Sequence, residues 1–374
     1  MKYVILRCED RARITAKTTA LLEGAKAAYL QELAQAGAAG LIRAKGSSPL
    51  ERFHLHRGLL GVDAVDAAAA PGGCYAAGAD VTLKPGETAW CCELVTRQDD
   101  TIIDPIAGNI KTKESELLIS ALNEQFGSDA RRWVLGNDSH HIFITREEAI
   151  PAESVVRSPD GLLGRAWKRS LPKGKAGKAL QQLIEEASKL LDAHAINQIR
   201  MDLGENPANM IWCWGATGGA AQENFKQRTG LSGAVFSSSF ALRGLARSLG
   251  MDWKEGPSAF EETPLQRLTK NVLASLEQRD LAYVHLRIES GDPVQRLIAM
   301  ERIDQLFVRP VTESLAGEWR FMAVVDDRAR HVAPVIAMGE GLPRHPVVHL
   351  KLENLAESPL KFDSGAAAFA WLIK

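Results

Sequence analysis

The chain has 374 residues, of which 45% are hydrophobic and 24% are charged, and its formal net charge is −1. These values are typical of a globular protein, and the near-neutral charge gives no basis for binding nucleic acid or an anionic membrane. Because no run of eighteen apolar residues exists, no membrane-spanning helix is expected.

The length predicts about two domains, or one large domain with an insertion. The first residues, Met1 to Arg7, contain too short an apolar core for a signal peptide. The five cysteines (Cys8, Cys74, Cys91, Cys92 and Cys213) have no CxxC spacing. This pattern predicts free thiols and a cytoplasmic location.

The first elements predict the start of a parallel sheet. Val4 to Leu6 is expected to be a strand, Ala16 to Ala36 has apolar residues at helical spacing, and Leu41-Ile42 begins a second strand. The order strand, helix, strand is typical of an α/β fold.

From Pro71 the sequence changes to closely spaced turns between short β-rich runs. The predicted elements are strands Thr88 to Thr96, Thr101 to Ile103, Arg132 to Leu135 and Ile142 to Thr145, with a helix from Lys113 to Phe126. This α+β segment is interpreted as an inserted domain. A basic linker (Leu171 to Gly177) and an amphipathic helix (Leu180 to His194) lead back towards the core.

The C-terminal part alternates strands and helices, which predicts a doubly wound α/β core. The predicted strands are Gly233 to Ser237, Leu281 to Ile288, Trp319 to Val325 and an edge strand from Val347 to Leu352. The predicted helices are Phe240 to Leu249, Leu265 to Glu277, Pro293 to Leu315 and Ala366 to Leu372.

One motif carries more information than the rest. Asn206-Pro207-Ala208-Asn209-Met210-Ile211-Trp212-Cys213-Trp214-Gly215 is an Asn-Pro turn, a short apolar strand and the start of a glycine-rich segment. The run resembles a signature of the archaeal-type cofactor-independent phosphoglycerate mutases, which belong to the alkaline-phosphatase superfamily. Leu59-Leu60-Gly61-Val62-Asp63 and the turns at Leu83-Lys84-Pro85-Gly86 and Gly108-Asn109-Ile110 are similar to that family as well.

The resemblance implies an alkaline-phosphatase-like α/β core with an inserted α+β cap domain. The core would consist of residues 1–60 and 206–374, and the cap, with its linker helix, of residues 61–205.

The resemblance also implies phosphoryl transfer through a serine and two divalent ions, which are held by oxygen and imidazole ligands. The first-strand aspartate of the family falls at Glu9 or Asp10, and the serine falls near Arg52. The aspartate-to-histidine segment after the strand that ends near His285 is deleted. The next Asp-His pair falls at Asp327-Arg328, and the last histidine near Gly339 or Glu340.

Arg52 and Arg328 would therefore stand where the family holds cations, without any Lewis acidity. The phosphate-binding side chains differ too: the implied positions carry Cys91, Glu93, Asn109 and a glycine at Gly218 or Gly219. Without these cationic groups, binding of a phosphorylated acid loses its physical basis.

Histidines give weaker signals. His54 and His56 alternate on an expected strand, so that both rings would point to one side and could ligate a metal. His140 and His141 are adjacent and are expected to face apart. An ordinary loop or strand-edge role is favoured for each pair, because no Cys or carboxylate stands at ligand spacing. No metal site and no cofactor are predicted.

The candidate site residues follow from these arguments. The acid/base candidates in the inherited cleft are Asp326, Asp327, His331 and Glu9. The ligand-binding candidates are Arg52, Arg328, His54, His56, Glu93 and Asn109.

The sequence favours a relative that has lost metal-dependent phosphoryl transfer and binds a small molecule or a protein partner. One alternative is an enzyme with a repurposed, metal-free cleft. A second is a retained metal-dependent mutase or a related phosphotransferase such as a homoserine kinase. A homodimer is compatible with the sequence.

Overall fold

The computed structural model describes residues 1–10, 19–43, 49–62, 71–150, 156–218, 224–288, 290, 292–327 and 331–374. The strands in chain order are β1 (Lys2–Asp10), β2 (Ala38–Arg43), β3 (Thr88–Gln98), β4 (Thr101–Asp104), β5 (Arg131–Asn137), β6 (His140–Thr145), β7 (Met210–Gly218), β8 (Gly233–Ser237), β9 (Asp252–Glu255), β10 (Leu281–Ile288), β11 (Trp319–Val325), β12 (Val332–Gly339) and β13 (Lys361–Phe362).

The helices in chain order are α1 (Leu21–Gly24), α2 (Ala28–Ala36), α3 (Pro49–Leu59), α4 (Pro71–Gly78), α5 (Thr112–Phe126), α6 (Lys175–Ala193), α7 (Ala195–Asp202), α8 (Phe225–Thr229), α9 (Phe240–Ser248), α10 (Glu262–Gln278), α11 (Pro293–Ile303), α12 (Arg309–Ser314), α13 (Leu352–Glu357) and α14 (Gly365–Ile373). None of these helices is long and apolar enough to cross a membrane.

The larger sheet has eight strands in the order β13-β2-β12-β11-β1-β10-β8-β9. Strand β1 pairs in parallel with β10 on one side and with β11 on the other. The central strands are buried along nearly their whole length because separate hydrophobic clusters cover the two faces of the sheet. The predicted α/β fold is confirmed, and the strands of the larger sheet come from residues 2–43 and 233–362.

The smaller sheet is antiparallel, with β4-β3-β6-β5 as its path and β7 added to β3. The prediction that this region has an α+β structure is confirmed. The motif strand, however, was expected in the core. It lies in the smaller sheet because β7 pairs with β3 from Val95↔Met210 to Thr88↔Gly218. Trp212 and Trp90 fill the hydrophobic cluster of that sheet instead.

The predicted first helix is interrupted. Residues 16–18 lie outside the described part of the chain, and the remainder forms α1 and α2 with a break between them. The buried Asp304 carboxylate accepts hydrogen bonds from the backbone N–H groups of Tyr29 and Leu30. It therefore satisfies donors at the start of α2 that the helix itself leaves unpaired.

The expected edge strand from Val347 to Leu352 was wrong. Residues 347–351 form no strand, and β13 occupies the edge. Strand β12 was not predicted because Pro334 interrupts its apolar run, and proline usually argues against a paired strand.

The predicted helix from Pro293 to Leu315 contains a π-helical turn, Asp304–Val308, between α11 and α12. Pro310 has no N–H to donate to the carbonyl four residues earlier. That carbonyl, Leu306 O, accepts instead from the Thr269 hydroxyl at 3.0 Å. The Leu306 carbonyl oxygen therefore has a hydrogen-bond donor, although Pro310 cannot supply one.

Candidate functional site

A cavity of about 390 Å³ lies between the two sheets. Glu9 and Arg287, near the ends of β1 and β10, reach it from the large sheet, and α3 contributes Arg52 and His56. Ligands of α/β proteins commonly bind outside the carboxyl ends of the strands. The position of this cavity therefore makes it the candidate functional site.

The smaller sheet and its connections form the opposite wall. The polar and aromatic side chains of this wall include Tyr75, Glu93, Asn109, Lys111, Asn137, Asp138, His140 and Trp214. The cavity is thus lined by both acidic and basic groups.

A buried ion pair joins α3 to β1. Arg52 and His56 are four residues apart on α3 and so project from one side of the helix. Arg52 Nε lies 2.9 Å from Glu9 Oε1, and the two side chains are only 7% and 5% exposed. Arg52 Nη2 also reaches Asp160 Oδ2 at 3.4 Å on the cap side. The guanidinium therefore neutralises a carboxylate that has little access to water.

Two histidines meet the second oxygen of the same carboxylate. His285 Nε2 lies 3.0 Å and His56 Nε2 3.4 Å from Glu9 Oε2. Behind the rings, His285 Nδ1 lies 2.9 Å from Ser237 Oγ, and His56 Nδ1 lies 2.6 Å from the Tyr283 hydroxyl. Burial lowers the pKa of both imidazoles, so their neutral forms predominate at neutral pH.

The Asp326 carboxylate has a different location and partner. Arg7 Nη2 lies 2.7 Å from Asp326 Oδ1, and both side chains are buried. The Asp327 backbone pairs with Val332, and His331 is exposed to solvent. None of the three acid/base candidates Asp326, Asp327 and His331 lines the cavity that contains Glu9.

The cap wall holds a second organised carboxylate. Glu93 Oε1 accepts from Trp214 Nε1 at 3.3 Å and from the Tyr75 hydroxyl at 3.5 Å. Its other oxygen is in close contact with His140 Nδ1. Glu93 is almost fully buried, whereas 28% of the His140 side chain is exposed. His140 is therefore the more accessible member of the pair.

Five of the ten predicted site residues line the cavity: Glu9, Arg52, His56, Glu93 and Asn109. Arg328 lies outside the described residues. His54 is half-buried and does not line the cavity. The expectation that His54 and His56 share one side of a strand was wrong because both belong to α3, where residues two apart point in divergent directions.

Sequence reasoning missed His285, Arg287, His140, Tyr75 and Trp214 as lining or contacting residues of the site. A signal existed for His285, since it lies near the end of a predicted strand, as Glu9 does. The contact of Glu93 with His140 follows from the register of β3 and β6, in which the two residues are opposite each other. The spacing of residues along the sequence does not reveal how β3 and β6 are aligned.

The described residues do not fit a centre for two divalent ions. Arg296 binds both carboxylate oxygens of Asp10, with Nε 3.1 Å from Oδ1 and a close contact from Nη2 to Oδ2. Asp327 lies away from the cavity. Among the described residues, the one grouping with three potential ligand atoms consists of Glu9, His56 and His285.

Comparison with known proteins agrees with this architecture. A family model described as "2,3-bisphosphoglycerate-independent phosphoglycerate mutase" matches residues 55–197. The protein of that name from Methanosarcina mazei is 28% identical over 324 residues, covering 84% of this chain and 81% of its own. Its namesake from Methanosarcina acetivorans is 30% identical over 243 residues, covering 63% and 61%.

Solved structures share the fold. A cofactor-independent phosphoglycerate mutase from Thermoplasma acidophilum aligns over 100% of this chain and 99% of its own, with a TM-score of 0.60 and 21% identity. A protein from Pyrococcus horikoshii aligns over 100% and 96%, with a TM-score of 0.71 and 16% identity.

The chain therefore has an alkaline-phosphatase-like α/β fold. Within that class, the chain is a relative of the archaeal 2,3-bisphosphoglycerate-independent phosphoglycerate mutases, as the sequence motifs indicated.

Proposed function

We propose that this chain has lost metal-dependent phosphoryl transfer and acts by binding a small molecule in the cavity between its two sheets. The observation that carries the proposal is the buried contact of 2.9 Å between Arg52 and Glu9. Arg52 stands where the resemblance implies the nucleophilic serine, and Glu9 where it implies a metal-held carboxylate.

The chemistry of these two side chains supports the loss. A guanidinium remains protonated in proteins and cannot serve as the nucleophile. Its positive charge also satisfies one oxygen of Glu9 and opposes the binding of a pair of dications nearby. Asp10, the other carboxylate at the end of β1, is fully engaged by Arg296.

The side chains in the wall formed by the smaller sheet indicate which class of ligand the cavity would bind. The resemblance implies cationic and amide groups for a phosphorylated acid at positions that here carry Glu93 and Asn109. A buried carboxylate at Glu93 repels a phosphate, and the aromatic rings of Tyr75 and Trp214 border it. A carboxylate in a wall that also contains aromatic side chains favours a ligand that is uncharged or carries an amine.

The test uses the purified full-length chain. Its melting temperature is measured with phosphorylated acids and with size-matched uncharged and amine-bearing metabolites, in parallel with an assay for interconversion of phosphoglycerate isomers in Mn²⁺. Stabilisation by the second group without interconversion supports the proposal. Isomer interconversion at an enzymatic rate in the Mn²⁺-loaded protein contradicts it.

A matched variant sharpens the ligand test. Glu93→Gln keeps the shape and the acceptor oxygen while removing the charge, so the preference for an amine over its uncharged analogue should decrease. If Glu93→Gln leaves that preference unchanged, Glu93 does not select the ligand. Stoichiometric co-purification of a protein, or dimerisation that covers the cavity, would instead favour a macromolecular partner.

A second function, an enzyme with a repurposed cleft, is favoured by the Glu93–His140 pair in the cavity wall. A carboxylate that orients an imidazole is a common arrangement for general acid–base catalysis. Turnover of a ligand found by the melting screen, abolished by His140→Gln, would establish it.

The five free cysteines accord with the proposed cytoplasmic location.

A further inference from the structure

We propose that Glu9, His56 and His285 form a binding site for one divalent transition-metal ion of the Zn²⁺ type. This inference goes beyond the proposed function and does not depend on it. Two of the three ligands, the histidines, stand at positions for which the family resemblance implies no ligand. The site would hold a single ion, in contrast to a two-ion centre.

The three ligand atoms already converge. Glu9 Oε2 lies 3.0 Å from His285 Nε2 and 3.4 Å from His56 Nε2, and all three atoms lie within 4.8 Å of one another. Tetrahedral Zn²⁺ has bonds of about 2.0–2.1 Å to nitrogen and oxygen, which places neighbouring ligand atoms about 3.4 Å apart. Only small side-chain movements would therefore be needed to admit the ion.

The two oxygens of Glu9 have separate roles. Oε1 faces the Arg52 guanidinium at 2.9 Å, and Oε2 faces the two imidazoles. Arg52 can thus remain in contact with Glu9 while Oε2 becomes a metal ligand. Asp160, 3.4 Å from Arg52, offsets part of the added positive charge.

The groups behind the imidazoles suit ligands of a metal. When Nε2 binds an ion, Nδ1 carries the proton and needs an acceptor. The Tyr283 hydroxyl lies 2.6 Å from His56 Nδ1, and Ser237 Oγ lies 2.9 Å from His285 Nδ1. Both hydroxyl oxygens can accept a hydrogen bond from that N–H group, which fixes the ring orientation.

The three ligand side chains are buried, and the site is open to the cavity on one side. The ligands come from three elements, β1, α3 and β10, and all three side chains are at most 5% exposed. Glu9 and His56 line the cavity, whereas His285 lies deeper in the protein. A fourth position, facing the cavity, would be open to water or to an oxygen atom of a ligand.

The experiment measures metal binding directly. Full-length protein is stripped with a chelator, titrated with Co²⁺ while visible absorption is recorded, and reloaded with Zn²⁺ for elemental analysis. We expect one ion per chain and the intense absorption of four- or five-coordinate Co²⁺. Glu9→Gln, His56→Gln and His285→Gln should abolish both, while His349→Gln, which alters an exposed histidine, should leave both unchanged.

A conservative variant covers the case in which the ligand variants do not fold. Tyr283→Phe removes only the hydroxyl behind His56 and should weaken Co²⁺ binding about 10- to 100-fold. Arg52→Met removes a competing positive charge and should strengthen it.

The wild-type titration alone can overturn the inference: no stoichiometric Co²⁺ binding, or binding with six-coordinate absorption, contradicts it. Unchanged affinity in Tyr283→Phe and in a folded ligand variant would also contradict it. These outcomes concern one ion and its ligands. Failure of the proposed function would appear separately, as interconversion of phosphoglycerate isomers.

Discussion

The buried contact between Arg52 and Glu9 makes a quantitative prediction. Arg52→Met removes the guanidinium that lies 2.9 Å from the Glu9 carboxylate, a group that is only 5% exposed. At about 4 Å between charge centres and an effective dielectric constant near 20, the lost attraction is about 4 kcal/mol. Removal of one member of a buried ion pair typically costs about 3–5 kcal/mol, so we expect a loss of that size in the free energy of unfolding.

The assay is urea denaturation at pH 7.5 in a chelator, so that metal binding cannot compensate. Glu9→Gln, Arg52→Met and the double variant complete a thermodynamic cycle. The double variant should lose less than the sum of the single losses, by about 2 kcal/mol or more, because neither member of the Arg52–Glu9 pair then remains without the other. Arg43→Met is the matched control: Arg43 and Asp363 form an exposed pair, so its loss should stay below about 1 kcal/mol.

A cost of less than about 1 kcal/mol for Arg52→Met, together with additive single losses in the double variant, would contradict a stabilising Arg52–Glu9 contact. Such a result would mean that the two side chains do not interact in solution. The guanidinium would then not neutralise Glu9, and the argument against a second cation would lose its basis.

Three other predictions concern the scaffold. Burial lowers the pKa of His141 to about 3, so the unfolded chain takes up a proton at this residue before the folded chain does as the pH falls below 6.5. Protonation of His141 in the unfolded chain should therefore lower the free energy of unfolding by about 2 kcal/mol at pH 5. His141→Asn should reduce the slope of the free energy of unfolding against pH. Arg296→Met should cost about 3–5 kcal/mol because it removes the guanidinium that contacts both carboxylate oxygens of the buried Asp10, and Asp10→Asn added to it should restore part of the loss. Gly244→Ala places a Cβ 1.6 Å from the Cys74 carbonyl oxygen and should lower stability by about 1–3 kcal/mol in thermal unfolding, whereas Gly73→Ala, with its nearest contact at 3.4 Å, should not.

The fold could be predicted from the sequence where pattern and position agree. The strands at Val4, Gly233, Leu281 and Trp319 are continuous apolar runs, as expected for strands that are buried on both faces, and all of them form the large sheet. Strand β12 was not predicted because Pro334 interrupts its apolar run. The motif strand was assigned to the core because an apolar run reveals that it is buried but not which sheet it joins.

The site could be predicted only in part because its residues meet through tertiary structure. Glu9 and Arg52 were found by their positions in the family motif. His285 contacts Glu9 only because β10 pairs with β1, and His140 reaches Glu93 only through the β3–β6 register. Conversely, the position of Asp326 after a strand predicts an acid/base group, yet Asp326 pairs with Arg7 and does not line the cavity.

We propose that Arg52, at the position where the family resemblance implies the catalytic serine, excludes a centre of two metal ions. The most direct test counts the metal ions per chain in protein reloaded with Mn²⁺ or Zn²⁺ and follows phosphoglycerate isomers in the same samples by phosphorus NMR. The account predicts at most one ion per chain and no interconversion. Two ions per chain together with interconversion would contradict it.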